Sequence, residues 1–153
     1  MPCPKYVSEQ AIWLDGLCSW QLALTANLKR HDTFGRPFNE QVVISTAYFF
    51  ANALSRVAFG REKCRQGYSV GIVFAYGFGA YCDKPHIHAS LCFPTVVLPE
   101  HRIELINKAA GVTRWTDGQP YIKSYRDWGW QSYMANHGMD RVLVDLIRLP
   151  NPT

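Results

Sequence analysis

The chain has 153 residues, 48% of them apolar and 18% charged, with 16 Lys and Arg against 12 Asp and Glu for a formal net charge of +4. That length and balance fit one folded domain with a real core, and they exclude a disordered or fibrous chain. A mildly basic surface permits an anionic partner such as nucleic acid without demanding one.

In chain order, Met1 to Lys5 does not open a signal peptide, because the apolar residues that follow are broken by Ser8, Glu9, Gln10 and Asp15. No run approaches the roughly eighteen apolar residues of a membrane span, so the expectation is a cytoplasmic protein with no membrane partner. Residues 1–18 read as a covering segment, a short helix or edge piece around Ala11 to Leu14, and residues 19–150 as the single main domain. Trp20 to Leu28 alternates and predicts a half-buried strand, with Trp20, Leu22, Leu24, Ala26 and Leu28 on the core face and Gln21, Ala23, Thr25 and Asn27 on a small, polar face. Lys29 and Arg30 begin a basic loop that runs to Pro37.

Asn39 offers an N-cap and Glu40 sits in a first turn. Val42, Val43, Thr46, Ala47, Phe50, Ala53, Leu54 and Val57 follow at helical spacing, which predicts a helix from Asn39 to about Ala58. Gly60 ends it and opens a basic turn carrying Arg61, Lys63 and Arg65, readable as phosphate contacts or as a solvated helix end whose cations complement the dipole. Tyr68 to Tyr76 predicts a second strand and Gly77 to Gly79 a loop.

Pro85 to Phe93 then alternates so that His86, His88 and Ser90 share one face while Ile87, Ala89, Leu91 and Phe93 share the other. The second set can enter a core, and the first presents two imidazoles side by side, able to bind one divalent metal or to stand as an ordinary exposed pair. Pro99 opens a helix with Ile103, Leu105, Ile106 and Ala109, closed at Gly111. A short strand follows at Tyr121 to Ser124, then a helix from Asp127 to His137, and last a Pro-Asn-Pro tail that reads as surface or linker.

The order strand, helix, strand, strand, helix, strand predicts an α+β fold, a ferredoxin-like antiparallel sheet with helices packed on one face. The other face would stay open to hold a substrate, with His86 and His88 looking onto it. The five cysteines are odd in number and include no Cys-x-x-Cys pair, which argues against a disulfide framework or zinc ribbon and for reduced thiols. Cys82 and Cys92 flank the histidine strand and are further possible ligands. On the last helix, Tyr133 and His137 are one turn apart with Asn136 beside them, so a phenol, an amide and an imidazole share an edge.

Three segments in this order resemble the HUH endonucleases, in particular the rolling-circle replication initiators: Leu22-Ala23-Leu24-Thr25 the first-strand motif, Pro85-His86-Ile87-His88 the histidine motif, and Trp130 to Asn136 the tyrosine motif. The resemblance covers roughly Ser19 to Pro150. It implies an endonuclease that nicks and rejoins single-stranded DNA. Tyr133 would be the nucleophile that forms a 5′-phosphotyrosine, and His86 and His88 would hold a divalent Mg²⁺ or Mn²⁺, with Zn²⁺ less suited. His137 would be a third ligand by similarity to single-strand transposases of the same fold. Thr25, Lys29, Arg30, Arg61, Arg65 and Asn136 would contact the DNA.

The implied partner is a single-stranded or stem-loop origin. No phosphate-loop motif is present, so unwinding and synthesis would fall to a host helicase and polymerase. Two departures define an alternative. Many initiators carry lysine where Asn136 stands, and many supply an acidic ligand before the histidines where this chain has no carboxylate until Asp83. A catalytically weakened single-stranded DNA-binding module of the same fold would accommodate both, with Trp128 and Trp130 as stacking residues. A small metal-binding or hydrolytic protein unrelated to DNA is the reading from another class.

Overall fold

The structure, a computed structural model, describes residues 9–30, 34–35, 37, 39–78, 85–126, 129–135 and 142–152; at 77, 78, 132, 133 and 135 it describes the backbone alone. Four strands, β1 (Leu22–Asn27), β2 (Gly71–Phe78), β3 (Pro85–Cys92) and β4 (Tyr121–Ser124), form one antiparallel sheet in the order β2-β3-β1-β4. With α2 (Glu40–Arg65) between β1 and β2 and α3 (Arg102–Gly111) between β3 and β4, the connectivity is the split βαβ arrangement of ferredoxin-like α+β folds. Two shorter helices flank it, α1 (Glu9–Asp15) and α4 (Gly129–Ala135).

Side-chain alternation divides the sheet as its sequence implies. Leu24, Ile72, Phe74, Ile87, Ala89 and Leu91 point to one face, where they meet Val43, Ala47, Phe50 and Leu54 of α2 and Ile106 and Ala109 of α3. The Asn39 side chain caps α2 by accepting from the Val42 amide at 3.0 Å. By length and composition α2 is apolar enough to cross a membrane; here its apolar stripe is buried against the sheet. Val57, expected on that stripe, is exposed.

The opposite face is only partly open. α1 and α4 pack together over one part of it and form a second, smaller cluster from Leu14, Trp20, Val73, Ala75, Cys92, Met134 and Val142. Trp20 therefore belongs to this side and not to the main core: it lies before β1, and its indole Nε1–H donates to the Leu14 carbonyl at 2.7 Å. The alternation had been extended two residues past the true start of the strand.

The Pro-Asn-Pro tail is not a linker. Ser69 and Asn151 exchange backbone hydrogen bonds of 2.8 and 3.0 Å, Ile72 and Arg148 exchange bonds of 2.8 and 3.0 Å, and the Leu143 amide donates to Phe74 at 2.8 Å. The last segment thus covers the outer edge of β2, which would otherwise present unpaired backbone groups. Gly71 permits that approach, since a Cβ there would stand 2.7 Å from Pro150 Cδ.

Candidate active site

β3 lies between β2 and β1, so its histidines sit in the interior of the sheet with their neighbours fixed by register. His86 is opposite Asn27 on β1 and Gly77 on β2; His88 is opposite Thr25 and Ala75. Both imidazoles project to the face away from α2, His86 half-buried and His88 9% exposed, with ring centres 4.7 Å apart and planes at 69°.

Two interactions orient His88. Its Nδ1 is 3.0 Å from Thr25 Oγ1, and its ring meets Trp130 edge-to-face at 5.3 Å. If Nδ1 carries the proton and donates it to Thr25, Nε2 is left with its lone pair free for a ligand, as when an outer partner orients a metal-binding imidazole. Trp130, at the start of α4, donates its indole N–H to the Ala89 carbonyl at 3.1 Å and so pins that helix to the histidine strand.

The spacing of the imidazoles fits joint ligation. A metal–nitrogen distance of about 2.1 Å plus roughly 1.1 Å from nitrogen to ring centre puts two ring centres about 4.5 Å apart when the ligand–metal–ligand angle is about 90°. The observed 4.7 Å is compatible with that spacing. Among the described residues no group of three or more metal-binding side chains occurs, so this pair could offer a metal at most two donors. His137, expected as the third, lies outside the described residues, as do Asn136, Asp83 and Cys82.

Cys92 does not join the pair. It shares the histidine face but lies six residues from His86, about 20 Å along the strand. Its thiol is held below the usual range by a hydrogen bond from Cys18 and by the Arg102 charge, against burial, which pushes it up. Cys18 is driven in the other direction by that same bond and by burial.

A cleft of about 900 Å³ opens beside His88, lined by Thr25, Tyr121, Lys123, Arg126 and Trp130 among others. Tyr121 is 68% exposed, and the Lys123 ammonium stands over the Trp130 ring, 5.0 Å from its centre. Cations interleaved with aromatic faces suit a single-stranded nucleic acid, whose phosphates and bases they can engage in turn. Tyr121, Lys123 and Arg126 were missed in the sequence, although the alternation of β4 already sets Tyr121 and Lys123 on the face opposite Ile122.

The other expected site residues divide by position. Thr25 lines the cleft and orients His88. Lys29 and Arg30 are exposed just beyond β1, at the histidine end of the sheet, where the Leu28 amide donates to the Pro85 carbonyl at 2.8 Å. Tyr133 is on α4, which packs beside β2 on the histidine face; its backbone alone is described.

Arg61 and Arg65 are not brought to the histidines. They stand at the end of α2, next to the start of β2, whereas the histidines pair with its end. The carboxylate that reaches Tyr76, Glu40 through a 2.9 Å hydrogen bond, comes from α2 on the main-core face and adds nothing to the metal pair. The chain matches no family model, no curated protein and no solved structure.

Proposed function

We propose that the protein nicks and rejoins single-stranded DNA in the manner of an HUH replication initiator, with Tyr133 as nucleophile. The observation that carries this reading is the pair His86 and His88, half-buried and buried on one sheet face at a separation suited to one metal, with a cationic and aromatic cleft beside His88. The tyrosine helix is docked to the same strand through Trp130.

His86 and His88 would hold Mg²⁺ or Mn²⁺, with His137 as the candidate third ligand. The ion's chemistry would be to polarise the scissile phosphate and neutralise charge gathering on its oxygens. Thr25 keeps His88 in its ligating tautomer. Lys123 and Arg126 hold the strand by its phosphates while Tyr121 and Trp130 offer faces for bases.

Attack of the Tyr133 phenolate on phosphorus forms the tyrosine–phosphate bond as the bond to the 3′-oxygen breaks, and that oxygen takes up a proton. The product is a 5′-phosphotyrosine with a free 3′-hydroxyl, and reversal rejoins the strand. A phenol with an ordinary pKa of about 10 needs neighbouring positive charge to react at neutral pH. Host helicase and polymerase activities would complete replication.

The test is incubation of the protein with labelled single-stranded oligonucleotides and Mn²⁺, followed by denaturing electrophoresis. A covalent adduct is expected, absent in Tyr133→Phe and in the double variant His86→Ala, His88→Ala. Binding without an adduct in the wild type would support the second reading, a single-stranded DNA-binding module of the same fold, which the amide at position 136 favours. Neither adduct nor binding would overturn both.

A further inference from the structure

At the end of the sheet remote from the histidines, Arg56, Arg61, Arg65 and Arg148 line one open groove of about 620 Å³, together with Asn52 and Tyr68. The four guanidiniums come from three separate pieces of chain: the body of α2, the turn after Gly60, and the C-terminal segment. On an unbroken α-helix, at 100° per residue, Arg56 and Arg61 would stand about 140° apart and Arg56 and Arg65 on opposite sides. The chain avoids this at Gly60, whose φ of 81° and ψ of 167° break the helix and re-aim its last turn. Arg148 is delivered from the far end of the sequence by its backbone pairing with Ile72, and Asn52 fixes its guanidinium through a 2.7 Å hydrogen bond.

Among the described residues no carboxylate lines this groove. Glu62, on the same turn, reaches Arg65 only at 3.9 Å with both side chains mostly in solvent, a pairing that neutralises little. The groove also differs in kind from the cleft at His88. Among the described residues lining it the aromatic is Tyr68, half-buried with Phe59 edge-on at 5.5 Å and the Lys63 ammonium over its ring at 5.5 Å, and the exposed Tyr48 beside it carries the Arg148 guanidinium over its ring at 5.6 Å, so both rings already have a cation on them. Guanidiniums gathered in a groove with little free aromatic surface are suited to phosphate oxygens, which a double-stranded segment presents while its bases stay stacked on one another.

We infer that this groove is a second nucleic-acid site, which grips the phosphate backbone of a duplex while the histidine cleft holds a single strand. The two lie about 20 Å apart along the strand direction and at opposite edges of the sheet, the groove beside β2 and the cleft over β1 and β4, so a duplex reaching both needs more than the six base pairs or so that about 20 Å alone would take at 3.4 Å per pair. The inference rests on the proposed function only in taking the nucleic acid to be DNA; backbone binding itself requires no chemistry at Tyr133.

The test compares the full chain with the double variant Arg61→Gln, Arg65→Gln, two exposed side chains whose loss leaves the core untouched. Fluorescence anisotropy would follow a labelled 20-base-pair hairpin and, separately, a labelled single strand, each over a range of NaCl. Losing two phosphate contacts is expected to weaken hairpin binding roughly 10- to 100-fold near 0.1 M salt and to lower its log–log salt slope by about two. Single-strand binding is expected to stay unchanged.

Gly60→Ala, with open space around the new Cβ but a φ that alanine resists, should weaken hairpin binding in the same direction. Unchanged hairpin affinity and slope in the double variant would overturn the inference. So would displacement of the hairpin by millimolar inorganic phosphate at constant ionic strength, which would mark a free-anion site, or tighter capture of a poly-glutamate peptide than of the hairpin. Adduct formation with the single strand is scored in parallel, so failure of the nicking reading registers in that arm and leaves the duplex result standing.

Discussion

The two faces of the sheet are made of the same four strands and opposite chemistry. Toward α2 and α3 the alternate positions are Leu24, Ile72, Phe74, Ile87, Ala89 and Leu91, all buried in one apolar cluster. Toward α1 and α4 the face is mixed: Val73, Ala75 and Cys92 join a small apolar cluster, while Ala23, Thr25, His86, His88 and Ser90 are small or polar, with the Ser90 hydroxyl and both amide atoms of Gln131 buried without a hydrogen-bond partner among the described residues. The first face returns free energy mainly by apolar burial, although Thr46 of α2 is buried there with its hydroxyl unpartnered among the described residues. The second keeps groups that burial penalises, which makes sense where those groups must hold a ligand. Stability and activity should therefore be separable across the sheet.

The largest effect is expected on the apolar face. Leu54, fully buried between α2 and the sheet, leaves a cavity when changed to alanine, and Leu54→Ala should lose about 2–5 kcal/mol of stability by urea denaturation. Mn²⁺ affinity of the molecules that remain folded should stay within about two-fold of wild type, as for independent sites. A large loss of metal affinity in the folded fraction would break the comparison.

An intermediate effect is expected where the C-terminal segment covers β2. Gly71→Ala sets a methyl group 2.7 Å from Pro150 Cδ and 3.1 Å from the Cys92 carbonyl, so the segment must shift. About 1–3 kcal/mol is the expected cost, with faster amide exchange at Arg148 and Asn151, whose bonds to Ile72 and Ser69 would be weakened. Because Arg148 also lines the arginine groove, this variant should loosen hairpin binding while leaving single-strand binding alone.

On the polar face the expected change is in ligand affinity. Thr25→Val keeps the shape of the side chain and removes the oxygen 3.0 Å from His88 Nδ1. Loss of an outer partner of this kind typically weakens a metal site by about 10- to 100-fold. Calorimetric titration with Mn²⁺ would measure it, and an unchanged affinity would mean that Thr25 does not set the His88 tautomer. Thermal unfolding of the metal-free variant should move little.

Much of this division was legible in the sequence because it rests on periodicity. The alternation of Pro85 to Phe93 and of Leu22 to Leu28 assigns each side chain to a face, and the stripe from Val43 to Leu54 selects the face α2 covers. What was not legible depends on contacts distant in the chain. Trp20 continues the alternation of β1, and only Leu14 and α4 show that it packs on the other side. Pro150-Asn151-Pro152 has the composition of a linker, yet its pairing with Ser69 is made across more than eighty residues. Arg61 and Arg65 were readable as phosphate contacts, but their distance from the histidines, and their company with Arg148, follow from where β2 begins and where the chain ends.

The smallest expected effect is the most informative about why the polar face is polar. Gln131 is fully buried at the base of α4, and neither its Oε1 nor its Nε2 has a hydrogen-bond partner among the described residues. Methionine has nearly the same length and no polar atom to desolvate, so Gln131→Met should raise stability by about 1 kcal/mol, read as a higher urea midpoint at constant m-value. A fall in stability would show that the amide is paired in solution, and the contrast between the faces would shrink accordingly. A rise in stability accompanied by weaker adduct formation is the sharper result: position 131, two residues before Tyr133 on a helix pinned to His88 through Trp130, would then retain an unfavourable amide because the site requires it.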